Sequence, residues 1–404
     1  MSPRMTGAGP AGRSAAVLVV AALGAVTIAA CSRPSGGDPE PDRLSVAATL
    51  RGDDPSALDG FTRALETREL VFPADDGPHP DFKTEWWYWI GNLVSAEGRR
   101  FGYQLTFFRS ALVPPPDPAH GQAPPASEEA VSNWSTRQLY MAHFAITDVD
   151  GAGFRSFERF ARGAAGLAGV HAEPFRVWLE DWSVAASEAL ADEWIVRARD
   201  GGHAIELSLS PLGARVFNGD RGLSRKGESP GSASYYYSRP RVPTRGRITA
   251  DGYEYEVRGD SWFDREWSTS LLADDEVGWD WLGLRLADGR ALMFFRLRRR
   301  DGSSAGAGGT LIAADGGHRE LRTRGFELVP QGTWTSPATG VAYPAALRLE
   351  LPGEDLALEV RPLLADQELR HSFVYWEGAV EVSGTTPGLG YLEMTGYGDQ
   401  ASPF

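Results

Sequence analysis

The sequence is poor in the residues that bind metals, form disulfides or act as thiolate nucleophiles. Its 404 residues include one cysteine and seven histidines. A single cysteine cannot form a disulfide within the chain, and the histidines lack the spacing typical of metal ligands. We therefore expect no metal site, and any chemistry has to come from oxygen and nitrogen groups.

Motifs for nucleic acid, nucleotide phosphates and serine nucleophiles are also missing. The net charge of −14 argues against a nucleic-acid partner, because phosphate binding needs a basic surface. Gly306–Gly309 is interpreted as a flexible hairpin tip, so we expect no bound cofactor. Gly227–Gly231 matches the Gly-x-Ser-x-Gly string, but its surroundings lack the strand-to-helix turn that makes such a serine reactive.

The one cysteine follows an N-terminal segment typical of an exported protein. Arg4 and Arg13 lie before an apolar run of 16 residues, Ala15–Ala30. This run is shorter than the roughly 20 residues of a membrane-spanning helix. The small residues before Cys31 resemble a bacterial lipobox. The resemblance implies cleavage after residue 30, lipidation of Cys31 and attachment to a membrane; an ordinary secretory leader is the alternative.

A lipid anchor would place the protein in the cell envelope. Ser32 after the cysteine, by resemblance to lipoprotein sorting, favours the outer membrane and a domain that faces the periplasm. Loss of Arg4 and Arg13 with the leader changes the charge from −14 to −16. Residues 31–69 are interpreted as a tether followed by a short amphipathic helix that starts at Asp54-Pro55, with Leu58, Phe61 and Leu65 on one stripe.

The remaining sequence favours an all-β fold. It contains 13 Trp, 12 Tyr and 18 Phe, and Asp-Gly turn signals recur along its second half. The length favours two domains. A segment rich in proline and arginine, Arg239–Gly246, predicts a boundary, which gives an N-terminal domain of residues 70–245 and a C-terminal domain of residues 246–404.

An internal repeat supports two related halves. Trp87–Gly91 and Trp279–Gly283 share the pattern Trp-x-Trp-aliphatic-Gly, and each is followed by a Gly-Arg turn and by Phe-Phe-Arg. The second copy continues through Asp288-Gly289, which predicts a tight hairpin turn. Each half would then be a small antiparallel β-barrel, an architecture that can enclose one apolar ligand.

Acidic residues lie directly beside tryptophans between residues 259 and 297. Side chains alternate along a strand, so Asp264 and Glu266 share one face while Arg265 and Trp267 share the other. A carboxylate among indole rings is poorly solvated, which raises its pKa and lets it carry a proton near neutral pH. Structural acids at strand ends, satisfied by partners, are the alternative interpretation.

Several further motifs together carry a family resemblance. They are His79 with Glu85–Tyr88, Ala142–Ala145, Tyr235–Tyr237, Asp264–Trp267, Gly278–Trp281, Asp366–Glu368, Tyr375–Gly378 and Gly390–Glu393. This set resembles the bacterial lipocalin-like family of acyclic carotenoid hydratases and predicted secreted hydrolases. The resemblance covers about residues 70–397. It implies two packed lipocalin-like barrels and an apolar substrate such as an isoprenoid, a polyene or a lipid.

One position departs from the resemblance. Hydratase members of the family are expected to have a histidine where Arg265 stands, and a guanidinium group cannot exchange a proton near neutral pH. The alternative role for Arg265 is to pair with an acid and lower its pKa. Hydratase chemistry is therefore one hypothesis, and the alternatives are a carrier that binds lipid without altering it and an uncharacterised secreted hydrolase.

Alkene hydration needs an acid, a stabilised cation and a base. The predicted acids are Asp264, Asp280 and Glu85, and the predicted bases are Glu266, His143 and Glu377. A histidine satisfied within the core is the simpler interpretation of His143. The residues expected to line the ligand site are Trp87, Tyr235, Tyr237, Arg265, Trp267, Trp279, Trp281, Tyr375 and Glu377.

Overall fold

The computed structural model describes residues 58–116, 136–190, 192–211, 213–227, 229–269, 272–273, 275–322 and 325–398. These residues form an all-β structure without a helix of seven or more residues, and none of its helical segments could cross a bilayer. Short 3₁₀ turns occur at Ala74–Asp76 and Pro352–Glu354. The predicted leader and Cys31 lie outside the described residues.

Two antiparallel sheets contain most of the strands. The first is built from β1 (Thr84–Ser95), β2 (Arg100–Ala111), β3 (Gln138–Asp148), β4 (Gly153–Arg162), β5 (Ala168–Ala172), β6 (Phe175–Leu179), β7 (Trp182–Ala186), β8 (Trp194–Asp200), β9 (His203–Leu209), β10 (Val216–Phe217), β11 (Leu223–Arg225), β12 (Ala233–Ala250) and β13 (Tyr253–Ser268).

The second sheet begins after a connection that leaves β13. It is built from β14 (Glu276–Leu286), β15 (Ala291–Arg299), β16 (Ser304–Ile312), β17 (His318–Arg322), β18 (Glu327–Gln331), β21 (Ala346–Leu351), β22 (Leu356–Pro362), β23 (Glu368–Arg370), β24 (Val374–Gly384) and β25 (Gly388–Met394). Strands β19 (Trp334–Thr335) and β20 (Ala342–Tyr343) pair as a separate ribbon.

The two sheets share one topology. In the first, β1 lies between β2 and the last strand, β13; in the second, β14 lies between β15 and the last strand, β25. Both openings are hairpins, and the turn at Asp288-Gly289 has the expected positive φ at Gly289 (94°). The predicted pair of barrel-like halves is confirmed.

The sheets divide the chain later than the sequence predicted. The expected boundary at residues 245 and 246 falls inside β12, which continues to Ala250 and pairs with β13 in the first sheet. Pro240 lies at a bulge between Arg239 and Val242, where a strand tolerates the loss of a ladder hydrogen bond, and Pro243 follows the bulge opposite Asp260 of β13. The chain leaves the first sheet at Ser268 and enters the second sheet at Glu276.

Two local predictions also differ from the structure. The predicted helix starts outside the described residues, and from Phe61 to Leu70 the chain is not helical; Leu58 and Phe61 are buried, whereas Leu65 is 52% exposed. Gly306–Gly309 is part of β16 rather than a flexible tip. A Cβ on Gly308 would lie 3.1 Å from the ring of Phe295, so glycine makes room there for an aromatic side chain on β15.

Alternate residues of the same strands serve different cores. On β1, Trp87 and Trp89 point into the first barrel, whereas Tyr88 and Ile90 point towards the second sheet. An apolar cluster between the sheets joins the latter to side chains of β12–β15, β24 and β25, including Tyr236, Trp262, Trp281, Phe295 and Tyr391. The two barrels therefore pack through the outer faces of their opening and closing strands.

Candidate functional site in a cavity between the barrels

A cavity of about 130 Å³ lies between the two sheets. Seven aromatic residues line it: Trp86, Tyr88, Phe108, Tyr236, Trp279, Trp281 and Phe295. Five acidic side chains, Asp264, Glu266, Glu276, Glu377 and Glu393, line the same space together with Lys226. A Cβ on Gly283 would lie 2.5 Å from the Trp281 ring, so glycine at this position lets the indole lie close to the strand.

Asp264 is held in the wall by three donors. The Tyr236 hydroxyl donates to one carboxylate oxygen (2.6 Å), while the Ser238 hydroxyl (2.5 Å) and the Trp262 indole (2.7 Å) donate to the other. Burial raises the pKa of Asp264 to about 7, the three hydrogen bonds oppose the rise, and the nearby Glu266 carboxylate adds to it. With a pKa of about 7, the carboxyl group of Asp264 is present in both its protonated and its ionised form near neutral pH.

Glu377 and Glu393 face each other on adjacent strands. They are directly paired in the register of β24 and β25, which brings their Cβ atoms to about 4.5–5.5 Å. Burial, then the Glu393 carboxylate, raises the pKa of Glu377 well above its usual range, and the hydroxyls of Tyr88 and Tyr375 oppose only part of that rise. Burial raises the pKa of Glu393 to about 7, with Glu266 and Asp264 adding to it.

Burial and the neighbouring carboxylate therefore both favour the protonated form of Glu377. The side chain is 2% exposed, and its Oε1 atom has no well-aligned hydrogen bond among the described residues. Like charges on neighbouring carboxyls favour one shared proton. Glu393 was not among the predicted site residues, although Gly390–Glu393 was part of the family motif set; only the pairing of β25 with β24 shows that it belongs beside Glu377.

Glu266 lines the cavity but has a cationic partner. The Lys226 ammonium lies 3.0 Å from its carboxylate. The same ammonium stands 4.4 Å from the ring centre of Phe295 and 5.1 Å from that of Tyr236. The predicted base is thus part of an ion pair at the edge of the cavity, and an ammonium group packs there against two aromatic rings.

His143 reaches the cavity through Tyr375. Its Nδ1 atom lies 2.7 Å from the Tyr375 hydroxyl, and its Nε2 atom lies 3.0 Å from the Glu158 carboxylate. The Tyr375 hydroxyl also contacts the Glu377 carboxyl, so the four side chains form a chain of polar groups. His143 is fully buried and satisfied at both ring nitrogens, which matches the simpler interpretation, and it acts on the site only through Tyr375.

The predicted acid Glu85 lies on the other face of β1, inside the first barrel. Arg109 and Arg265 both form ion pairs with its carboxylate. Burial alone would raise the pKa of Glu85, but the two guanidinium groups hold it well below its usual range. Glu85 therefore stays ionised, and the prediction that it is a proton donor is wrong.

The predicted ligand wall on the first sheet is wrong for the same reason. Trp87, Tyr235, Tyr237 and Trp267 belong to the buried core of the first barrel, and Arg265 is stacked between Trp87 (3.8 Å) and Trp267 (4.9 Å). Their neighbours in sequence, Trp86, Tyr88 and Tyr236, line the cavity instead. Because Arg265 faces the interior, the position where the resemblance implies a histidine does not line the cavity.

Asp280 is likewise structural. Its carboxylate pairs with Arg296 (2.5 Å) and Arg298 (3.3 Å) and accepts a hydrogen bond from the Tyr397 hydroxyl (2.8 Å) on the inner side of β14. The adjacent residues Trp279 and Trp281 line the cavity. Of the predicted catalytic carboxylates, Asp264, Glu266 and Glu377 meet at one site, whereas Glu85 and Asp280 do not.

Comparison with known proteins agrees with this architecture. The AttH-like family model matches residues 63–397. The chain belongs to the AttH-like family. A solved structure of a Nitrosomonas europaea protein designated AttH is 32% identical, covers 84% of this chain and 100% of its own, and aligns with a TM-score of 0.73. No curated protein matches the sequence significantly.

A second similar structure is kievitone hydratase from Nectria haematococca. It is 14% identical, covers 83% of this AttH-like chain and 98% of its own, and aligns with a TM-score of 0.59. At this identity the likeness concerns the fold alone. The predicted lipocalin-like fold, of the type found in a hydratase, is confirmed.

Proposed function

We propose that this AttH-like protein adds water to a carbon–carbon double bond of a small, mainly apolar molecule bound between its barrels, or removes water in the reverse direction. One observation carries the proposal. Three carboxyl groups, Asp264, Glu377 and Glu393, face one cavity lined with aromatic rings, and none of them is paired with an arginine or lysine among the described residues; Asp264 and Glu377 are buried and Glu393 is partly buried. Their raised pKa values make both an acid and a base available near neutral pH.

The reaction assigns one role each to Glu377, the aromatic rings and Asp264. The double bond takes the proton of Glu377, so a C–H bond forms as the O–H bond breaks and positive charge develops on the neighbouring carbon. Aromatic faces such as those of Trp279 and Trp281 stabilise that charge, by about 2 kcal/mol or more where water is excluded. Water then attacks the carbon, and its proton passes to Asp264.

The site is reset by proton exchange. After the addition Glu377 is ionised and Asp264 is protonated, so one proton has to return from Asp264 to Glu377. Glu393 stands beside Glu377 and its pKa is near that of Asp264, which makes it a suitable intermediate. The polar chain of Tyr375, His143 and Glu158 offers a second route towards the surface.

The cavity limits what can react. Its volume of about 130 Å³ is smaller than the roughly 300–1,000 Å³ of common ligand sites. A long polyene or lipid would therefore place only one end between the barrels. The substrate class we propose is a compact alkene, or a longer isoprenoid that reacts at its terminus.

Incubation of the purified protein with isoprenoid alkenes of increasing length, in water labelled with heavy oxygen, tests the proposal. Product should gain one labelled hydroxyl group, and Glu377→Gln should lower the rate about 10²- to 10⁴-fold. Glu381→Gln is the matched control, because Glu381 lies on the same strand but is exposed. Lipid that co-purifies unaltered, with no labelled product from any alkene, would favour the carrier.

We further propose that the mature chain is an envelope lipoprotein anchored through Cys31. The support is the leader-like sequence of residues 1–30 and the small residues before the cysteine. Two or more acyl chains give stable attachment where one does not. Expression in a bacterial host should yield a membrane-bound, acylated N-terminal peptide, and Cys31→Ala should release the protein from the membrane; a soluble wild-type protein with an unmodified cysteine would contradict the anchor.

A further inference from the structure

The cavity contains more carboxyl groups than one proton transfer requires. They are Asp264, Glu266, Glu276, Glu377 and Glu393, and the one cationic side chain among the described residues of the wall, Lys226, is already paired with Glu266. Carboxylates without cations are unfavourable in such a site, so in the absence of a ligand they take up protons, as the raised pKa values of three of them indicate, whereas a positive charge beside them would favour their ionised forms. A bound organic cation would provide that charge.

Lys226 shows how an ammonium group is accommodated here. Its Nζ atom sits 3.0 Å from a Glu266 carboxylate oxygen and within 4.4 and 5.1 Å of the ring centres of Phe295 and Tyr236. A carboxylate with aromatic faces around it is the environment that binds quaternary ammonium groups. The same elements recur deeper in the cavity, where Trp86, Trp279 and Trp281 stand with Glu377 and Glu393.

An unused acceptor also points into this space. Oε1 of Glu377 is buried and has no well-aligned hydrogen bond within the described part of the chain. A buried acceptor without a partner is unfavourable unless a ligand or water satisfies it. The aromatic wall and this oxygen, which belongs to an acid without a cationic partner, are features of the same 130 Å³ volume.

We propose that the cavity is a binding site for small organic cations. It binds them more tightly than uncharged molecules of the same shape, and it does not bind anions. The inference deepens the proposed function and rests on it for its catalytic meaning, because the charge that holds an ammonium group also stabilises the cation formed when an alkene is protonated. An ammonium compound would then act as a mimic of that intermediate, and the substrate itself would be uncharged where it enters the cavity.

The bound cation would change the protonation of the site. Asp264 and Glu393 have pKa values of about 7, and the pKa of Glu377 is raised well above its usual range. A positive charge next to them favours their ionised forms, so binding should release protons near neutral pH and weaken as the pH falls below about 7. Glu266, paired with Lys226, and Glu276 also face the cavity, so Asp264→Asn should remove only part of this dependence.

Three probes of one shape test the inference. They are choline, the alcohol in which a tert-butyl group replaces its trimethylammonium group, and tert-butylacetate as the anion. Titration calorimetry and tryptophan fluorescence should show that choline binds at least about tenfold more tightly than the alcohol, a difference of about 1.4 kcal/mol, while the anion does not bind. Calorimetry in buffers of different ionisation enthalpy should show proton release by choline alone.

Substitutions locate the binding. Glu377→Gln should weaken choline binding about tenfold or more and leave binding of the neutral alcohol within about twofold, because glutamine cannot ionise beside the bound cation, whereas the alcohol carries no charge to compensate. Glu381→Gln, on an exposed part of the same strand, should change neither. Thermal unfolding of each variant shows that the fold is retained, and Glu393→Gln provides a second site variant if Glu377→Gln does not fold.

The outcomes separate the two proposals. Equal affinity for choline and the alcohol, or choline binding that survives in both Glu377→Gln and Glu393→Gln, would overturn the cation site while leaving alkene hydration intact. Choline binding that depends on these residues, in a protein that adds no water to any alkene, would support the cation site and remove the hydratase.

Discussion

The two faces of β13 hold their charges in opposite ways. Arg265 points into the first barrel, where it joins Arg109 around Glu85, and all three side chains are almost completely buried. Asp264, one residue away, points towards the second barrel and meets only hydroxyl and indole donors. The first arrangement fixes a carboxylate in its ionised form, and the second leaves a carboxyl able to take up and release a proton.

The second barrel repeats the interior arrangement. Asp280 on β14 is paired across the hairpin with Arg296 on β15, as Glu85 on β1 is paired with Arg109 on β2. Each barrel thus has an acid neutralised by arginine on its inner side, and the acids with raised pKa values lie between the barrels. Acidity in this fold is set by the face of the strand and by the presence of arginine, since both kinds of acid are buried.

The largest expected effect comes from breaking the interior cluster. Glu85→Gln leaves Arg109 and Arg265 buried beside each other without their counterion, which should lower the free energy of unfolding by about 3–5 kcal/mol. Urea denaturation measures it. Glu381→Gln, at an exposed position, should leave the free energy of unfolding almost unchanged. A Glu85→Gln protein as stable as the wild type would show that the cluster of Glu85, Arg109 and Arg265 does not stabilise the first barrel.

Removing an acid from the cavity face should stabilise the protein rather than destabilise it, and this gain in the free energy of unfolding should grow as the pH rises. The folded protein holds the Asp264 proton up to about pH 7, whereas the unfolded chain loses it near 4, so this group makes the wild type progressively less stable between those values. Asp264→Asn removes the loss, and its stability relative to the wild type should rise by up to about 4 kcal/mol from pH 4 to pH 7.

Denaturation at several pH values gives that difference directly. Glu393 titrates over the same range and remains in the variant, so some pH dependence should persist. A wild-type minus variant difference that stays constant with pH would mean that Asp264 is ionised throughout, and the proposed base would then resemble Glu85 rather than differ from it.

The chemistry of this region could be predicted from the sequence, but its orientation could not. Strand alternation groups Asp264 with Glu266 and Arg265 with Trp267, and the structure agrees. Strand alternation does not show which pair faces a core and which pair faces a cavity, because both faces of these strands are buried. Glu85, Trp87 and Trp267 were therefore assigned to the site, whereas Trp86, Tyr88 and Glu393 were missed.

The internal repeat explains part of that error. Matching Trp87 with Trp279 sets an offset of 192 residues, from 279 − 87, whereas matching the paired acids Glu85 and Asp280 sets an offset of 195, from 280 − 85. The difference of three residues is odd and so exchanges the faces. The tryptophans of the motif point into the first barrel on β1 and into the cavity on β14, although the hairpins themselves are equivalent.

A smaller effect is expected in the second barrel. Arg296→Met removes one partner of Asp280 but leaves Arg298 and the Tyr397 hydroxyl, so the free energy of unfolding should fall by about 1–3 kcal/mol, less than for Glu85→Gln. Arg299→Met, at a partly exposed arginine paired with Asp275, is the matched control. A loss as large as that of Glu85→Gln would mean that Arg298 and Tyr397 compensate poorly.

The smallest effect on stability should come from Tyr375→Phe. The substitution keeps the buried ring and removes the hydroxyl between His143 and Glu377, which should lower the free energy of unfolding by only about 1 kcal/mol. Infrared titration of the buried carboxyl should nevertheless show a higher pKa for Glu377, because the hydroxyl opposes part of its rise in the wild type. Tyr235→Phe, whose hydroxyl donates to a backbone carbonyl on the interior face, should leave that pKa unchanged. If both variants shift it equally, the two faces are coupled through the strand and do not set their acids independently.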